Sequence, residues 1–282
     1  MVLPLMVLVD RKWTHRPAYQ SEWLPAGNVH LRALRVGQGD TTLVLIHGYG
    51  ESLLAFRGII GPLARHFRVN AIDLPGSGLS ERPASFALDS IVDDLSDFLD
   101  RSTDGPVVLV GHSMGGEIAA ALALKRPDRI VRLVLIAPAG FGLGFGLADE
   151  AFSERQRELA AWSLKVRGLI LQTDDPTWIT DPPGLPSGVR AGNAAREAAA
   201  AVLRDFDFTA LKDRYRLIQQ PTLLLWGGLD PLIPVSIGRQ IAEAIPNCRL
   251  VVIGNSWHRP HVEQPERVIH EIENFLSTKA ME

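Results

Sequence analysis

The sequence predicts an α/β protein: a mainly parallel, doubly wound sheet flanked by helices, with a helical lid inserted after the sixth core strand. Three observations predict it. Short apolar runs alternate with helical patterns along most of the chain. One serine, Ser113, lies between glycines where such a run meets a helix. The alternation stops between Phe141 and Gln219 and resumes at Pro221. At 282 residues and 46% hydrophobic content, the chain can bury one large core and still carry an insertion.

In chain order, residues 1–9 are apolar, but they are too short to span a bilayer and Pro4 interrupts them. No basic residues precede them and no small-residue cleavage site follows, so they are expected to pack on the body rather than act as a secretory signal. Residues 29–34 read as an edge strand. Strands follow at residues 42–46, 69–73, 107–111, 131–137, 223–226 and 250–253. These runs are β-rich and continuously apolar, as parallel strands covered on both faces require. Helices are expected over residues 53–65, 88–99, 114–125, 234–244 and 265–276, the last with Pro265 in its first turn. Residues 141–219 hold two helical patterns, 154–166 and 193–205, separated by an irregular loop at 174–184. The expected organisation is a core of residues 1–140 and 220–282 and a cap of residues 141–219. That cap would lie over the C-terminal edge of the sheet, where open α/β sheets bind ligands.

Composition narrows the function. A net charge of −3 with interspersed signs leaves no basic footprint for nucleic acid. The single cysteine, Cys248, excludes an intrachain disulfide and a multi-cysteine metal site. At the start of a strand it reads as an inert structural thiol, and it fits a cytoplasmic location. No His, Asp and Glu cluster has metal spacing, and Gly76-Ser77-Gly78 lacks the Gly-Lys-Ser/Thr of a phosphate loop. No cofactor, metal or membrane span is therefore expected; a small-molecule substrate, and a monomer or homodimer, are separate expectations that composition does not decide.

Ser113 carries the chemistry. Val107-Val108-Leu109-Val110 precedes Gly111-His112-Ser113-Met114-Gly115, and an Ala-rich helix follows. A serine at such a strand–turn–helix apex is strained so that its hydroxyl stands clear of the sheet. Gly111 and Gly115 remove the side chains that would collide where strand and helix nearly touch. This context marks Ser113 as a nucleophile.

Four further motifs stand in register with the serine: His47-Gly48-Tyr49-Gly50, Asp73-Leu74-Pro75-Gly76-Ser77-Gly78-Leu79-Ser80, Trp226-Gly227-Gly228-Leu229-Asp230 and His258-Arg259-Pro260. With these, the chain resembles the α/β-hydrolase family over almost its whole length, including the order nucleophile, acid, histidine. The resemblance implies a triad of Ser113, Asp230 and His258. A serine hydroxyl needs a base within reach, histidine titrates near neutral pH, and a carboxylate orients the imidazole. It also implies an oxyanion hole from the backbone N–H groups of Tyr49 and Met114. His258 is favoured over His261 and His270 because Glu263-Gln264-Pro265 completes the family's pattern after it. Trp257 stands where the family has glycine. Asp230 is favoured over Asp73, Asp149 and Glu150, since Ala137-Pro138-Ala139-Gly140 offers no carboxylate one strand earlier. His47 and His112 are read as loop-holding residues.

The serine argues against the family's dehalogenase and epoxide hydrolase branches, which use aspartate. Phe141, Leu143, Phe145, Leu147, Trp162, Trp178, Phe206 and Phe208 give the lid an apolar character. They imply a dry pocket, with Phe141, Trp162 and Trp257 as substrate-binding candidates. Carboxylic ester hydrolysis (EC 3.1.1) is the expected activity. Carbon–carbon hydrolysis of dienone acids (EC 3.7.1) is the alternative, with Arg190 or Arg196 holding a substrate carboxylate. A non-turnover small-molecule receptor on the same fold is the other.

Overall fold

Every residue of Thr42–Ile46 and Val107–His112 is buried, because both strands lie mid-sheet with apolar layers on either side. The structure, a computed structural model, describes residues 19–141, 179–180 and 193–277. Its strands are β1 (Tyr19–Gln20), β2 (Glu22–Ala26), β3 (Val29–Val36), β4 (Thr42–Ile46), β5 (Arg68–Ile72), β6 (Val107–His112), β7 (Ile130–Ile136), β8 (Ile179–Thr180), β9 (Thr222–Gly227) and β10 (Cys248–Ile253). Eight of them form one sheet in the order β10-β9-β7-β6-β4-β5-β3-β2, and β1 pairs with β8 alone. The pairs β2–β3 and β3–β5 are antiparallel; the others in this sheet are parallel.

The two-residue period of a strand divides its side chains between two cores. Leu43 and Leu45 of β4, with Val108 and Val110 of β6, pack on Phe56, Ile59, Val268 and Ile272. Val44, Ile46 and Leu109 face the opposite layer, with Phe98, Ile118, Trp226 and Ile241. The helices α1 (Arg57–Leu63) and Pro265–Ser277 cover the first face, and α2 (Leu88–Ser102) and α3 (Met114–Lys125) the second. Each buried Leu, Ile or Val contributes roughly 1.5–3 kcal/mol.

Three elements differ from the sequence reading. The sheet edge is β2, not residues 29–34, which lie one strand inward as part of β3. Pro25 masks β2 in the sequence, yet an edge strand tolerates proline because one side needs no ladder donors. A 3₁₀ turn, Leu53–Phe56, opens the expected helix at 53–65; Ser52 Oγ accepts from Leu54 N at 3.4 Å. The seventh strand stops at Ile136, since Ala137 turns to φ +42°. The helix Asn193–Asp205 has the expected bounds. The expected helix at 154–166 and the apolar run at 1–9 lie outside the described residues. Among the described residues no helix is long and apolar enough to cross a membrane.

Candidate active site

The carboxyl ends of β4, β6, β9 and β10 share one edge of the sheet, and each leads into a loop carrying a residue singled out above. Between β6 and α3, Ser113 adopts φ +53°, ψ −119°, a conformation costing about 1–3 kcal/mol for a non-glycine residue. Its surroundings fix it there. Ser113 N donates to Ile136 O at 3.0 Å, and Ser113 O accepts from Gly116 N at 2.9 Å and Ala139 N at 3.0 Å. A Cβ on Gly111 would overlap the Gly115 carbonyl, and one on Gly115 would overlap the carbonyls of Ile46 and His47. The elbow closes only with glycine at both positions.

Asp230 sits in the turn after β9 with its side chain shielded from solvent. Its Oδ1 accepts from Leu232 N at 2.9 Å and Ile233 N at 3.0 Å, while Oδ2 lies 2.7 Å from His258 Nδ1. His258 Nε2 lies 3.0 Å from Ser113 Oγ. Ser113, His258 and Asp230 thus form a continuous hydrogen-bonded chain. The histidine loop is held by Glu263. Its Oε2 accepts from Ser256 Oγ at 2.7 Å and Trp257 N at 2.5 Å, and its Oε1 accepts from Arg259 N at 3.2 Å. Gly227 is required where this loop crosses the acid turn, because its Cβ would fall inside the Trp257 carbonyl.

The competing residues have other surroundings. His47 Nδ1 donates to Gly48 O at 2.8 Å while Nε2 accepts from Leu74 N at 2.9 Å, which assigns its tautomer. His112 Nδ1 lies 3.0 Å from Glu51 Oε2 and Nε2 3.0 Å from the His258 carbonyl. Both ring nitrogens of fully buried His261 lack partners among the described residues, and burial pushes its pKa well below the usual imidazole value. His270 bonds Asn274 on the exposed face of the last helix. Asp73 accepts from Leu53 N at 2.7 Å and Leu79 N at 2.9 Å, bracing the Gly76–Gly78 turn.

Tyr49 follows Gly48 on the loop after β4, and its hydroxyl donates to Ala199 O at 3.2 Å on the helix Asn193–Asp205. Met114 opens α3, whose first N–H groups have no intrahelical partner. Phe141 stacks on Tyr215 at 5.7 Å between centroids, and Tyr215 in turn donates to Ala139 O at 2.5 Å. Trp257 is 38% exposed on the histidine loop. Trp162, Arg190 and the apolar residues from Leu143 to Trp178 named above lie outside the described residues, as do Asp149 and Glu150. Among the described residues no three His, Cys, Asp or Glu side chains are grouped to hold a metal ion.

Two buried acids, Glu51 and Glu117, carry no signal in the sequence beyond their position within a motif. Glu117, one turn into α3, is fully buried with neither carboxyl oxygen bonded among the described residues. Desolvation, then the charge of Asp207, raises its pKa to about 9.

The family model described as alpha/beta hydrolase fold matches residues 41–265. A pimeloyl-[acyl-carrier protein] methyl ester esterase of Photobacterium profundum is 31% identical over 249 residues, 85% of this chain and 96% of the relative. A serine hydrolase involved in carbazole degradation superposes with a TM-score of 0.72 at 25% identity, covering 93% of this chain and all of that one. A meta-cleavage product hydrolase of Pseudomonas fluorescens superposes with a TM-score of 0.67, also at 25% identity, covering 90% and 97% of the two chains.

Proposed function

The chain belongs to the alpha/beta hydrolase fold family, and on that premise we propose that it is a serine hydrolase acting on a carboxylic ester. The substrate is small and largely apolar, and the reaction passes through an acyl-enzyme on Ser113. The observation that carries this reading is the chain of hydrogen bonds from Ser113 Oγ through His258 to Asp230, at 3.0 and 2.7 Å.

The chemistry follows from that chain. His258 Nε2 takes the Ser113 hydroxyl proton as Oγ attacks the ester carbonyl carbon. Asp230 holds the imidazole with Nδ1–H toward itself and stabilises the imidazolium; its two backbone donors keep it in place. The N–H groups of Met114 and Tyr49 receive the carbonyl oxygen as it becomes an oxyanion, each donor worth roughly 3–4 kcal/mol. The N-terminal end of α3 adds its positive dipole at Met114. The imidazolium then gives its proton to the departing alkoxide. A water molecule, deprotonated by His258, repeats the attack on the acyl-enzyme and frees the acid.

The esterase from Photobacterium profundum supports an ester substrate. The meta-cleavage product hydrolase supports the second reading, carbon–carbon hydrolysis of a dienone acid. A panel of p-nitrophenyl esters of increasing acyl length, run beside a dienone acid and with Ser113→Ala as blank, separates the readings. Multiple turnovers on apolar esters support the first. Cleavage of the dienone acid alone moves the assignment to the second. One equivalent of product, tightly retained, points to a receptor.

A further inference from the structure

We propose that Glu51 is a positioning residue of this reaction, tying the oxyanion loop, the nucleophile elbow and the histidine loop together through one buried carboxyl. The proposal rests on the hydrolase reading above. The Glu51 side chain is fully shielded from solvent. Its Oε2 accepts from Gly48 N at 3.0 Å and lies 3.0 Å from His112 Nδ1, and its Oε1 pairs with Arg259 Nε at 3.2 Å. Gly48, His112 and Arg259 each adjoin a proposed reacting group in sequence: Tyr49, Ser113 and His258. One side chain therefore grips all three loops at the residue beside the chemistry.

The hydrogen bonds also fix a proton count. His112 Nε2 faces the His258 carbonyl, which only accepts, so Nε2 carries hydrogen. A neutral imidazole has no second N–H, yet Nδ1 faces a carboxyl oxygen. One further proton must lie between Nδ1 and Oε2, whether nearer the ring or nearer the carboxyl. The pair thus holds two protons in either arrangement. The groups facing it are Arg259 on the carboxyl and, on the ring, His258 and His261 at 5.0 and 4.5 Å between centroids. Burial, opposed by Glu51, holds the His112 pKa below its ordinary value.

Glutamine cannot replace this carboxyl. The atom at Oε2 accepts the Gly48 proton and shares a second proton with Nδ1. An amide oxygen accepts from Gly48 but has no proton to share, and the buried ring, without the opposing charge of Glu51, does not take up a second one; an amide nitrogen donates but cannot accept from Gly48. Either orientation breaks one link, to the oxyanion loop or to the carbonyl of His258.

The test is the rate at which a fluorophosphonate labels Ser113, measured against reagent concentration in wild type, Glu51→Gln, His112→Asn and the double variant. Wild type is expected to label at Ser113. Each single variant should lower the maximal labelling rate roughly 10- to 100-fold, the scale of a small misplacement of reacting groups, with half-saturation unchanged. The double variant should fall within about threefold of the slower single variant, because both sever the same link. Labelling of Glu51→Gln at the wild-type rate overturns the proposal, as does a change confined to half-saturation or losses that multiply. Should Glu51→Gln not fold, His112→Asn carries the test by the same rate criterion. A folded wild type that does not label overturns the hydrolase reading, and this proposal falls with it.

Discussion

The amide of Glu117 donates to the carbonyl of Ser113 at 3.2 Å, which sets a buried carboxyl one helical turn behind the strained serine. The charge that acts on that carboxyl, after its own burial, is that of Asp207, and the carboxyl in turn helps to raise the pKa of Tyr215. Its pKa of about 9 in the fold exceeds the ordinary glutamate value of 4.5. Between those values the folded chain keeps a proton that the unfolded chain has lost, so stability falls as pH rises. Glu117→Gln removes this dependence. The variant should match wild type near pH 4.5 and gain on it with pH, reaching roughly 3 kcal/mol at pH 7. Urea unfolding at pH 5, 7 and 9 measures the gap, and a gap that stays flat refutes it.

Replacing the proposed nucleophile should leave the fold intact and lower ester turnover by about four to six orders of magnitude. Among the histidines the ranking is the sharper test. His258→Ala should lose nearly all turnover, because it removes the partner of both Ser113 and Asp230. His261→Phe should retain most of it, since His261 packs against Phe56 at 5.1 Å with neither ring nitrogen bonded among the described residues. The opposite order in steady-state rates would reassign the base.

Gly227→Ala places a methyl group against the Trp257 carbonyl, one residue from His258. The histidine loop has to retreat, at the upper end of the roughly 1–3 kcal/mol typical of overpacking. Thermal unfolding should show the loss, and ester turnover should fall further than stability alone explains. Glu263→Gln should damage the same loop more mildly, because an amide oxygen still accepts from Ser256 or Trp257.

The thiol of Cys248 is pushed up to about 12 by burial. Its thiolate fraction at pH 8 is therefore minute, and iodoacetamide should modify the native protein far more slowly than the urea-unfolded chain. Intact mass after timed exposure reads this directly; equal rates would mean that Cys248 is accessible.

What the sequence revealed depended on how locally each feature is encoded. The central strands were legible because burial on both faces makes Thr42–Ile46 and Val107–His112 continuously apolar. Gly111 and Gly115 were legible because the elbow leaves no room for other residues. Ser113 and His258, 145 positions apart, were singled out by motif, and only the fold supplies the 3.0 Å between them. The edge strand β2 was missed because Pro25 and Glu22 interrupt its apolar pattern. The buried acids were missed for a different reason. A lone glutamate after a glycine motif or within an Ala-rich helix looks like any solvated residue, and its burial is set by distant segments such as Arg259 for Glu51.

The hydroxyl of Tyr49 spans from the loop after β4 to the Ala199 carbonyl, and this has a consequence for engineering. Exchanging residues 141–219, the proposed cap, for the matching segment of a relative would not be a modular graft. The incoming segment would have to offer an acceptor at the place of Ala199, or the phenol would lose that partner while its own backbone still served the core. Chimeras should therefore be built in pairs, with Tyr49 kept and with Tyr49→Phe, so that a change in substrate range can be told apart from a broken tether.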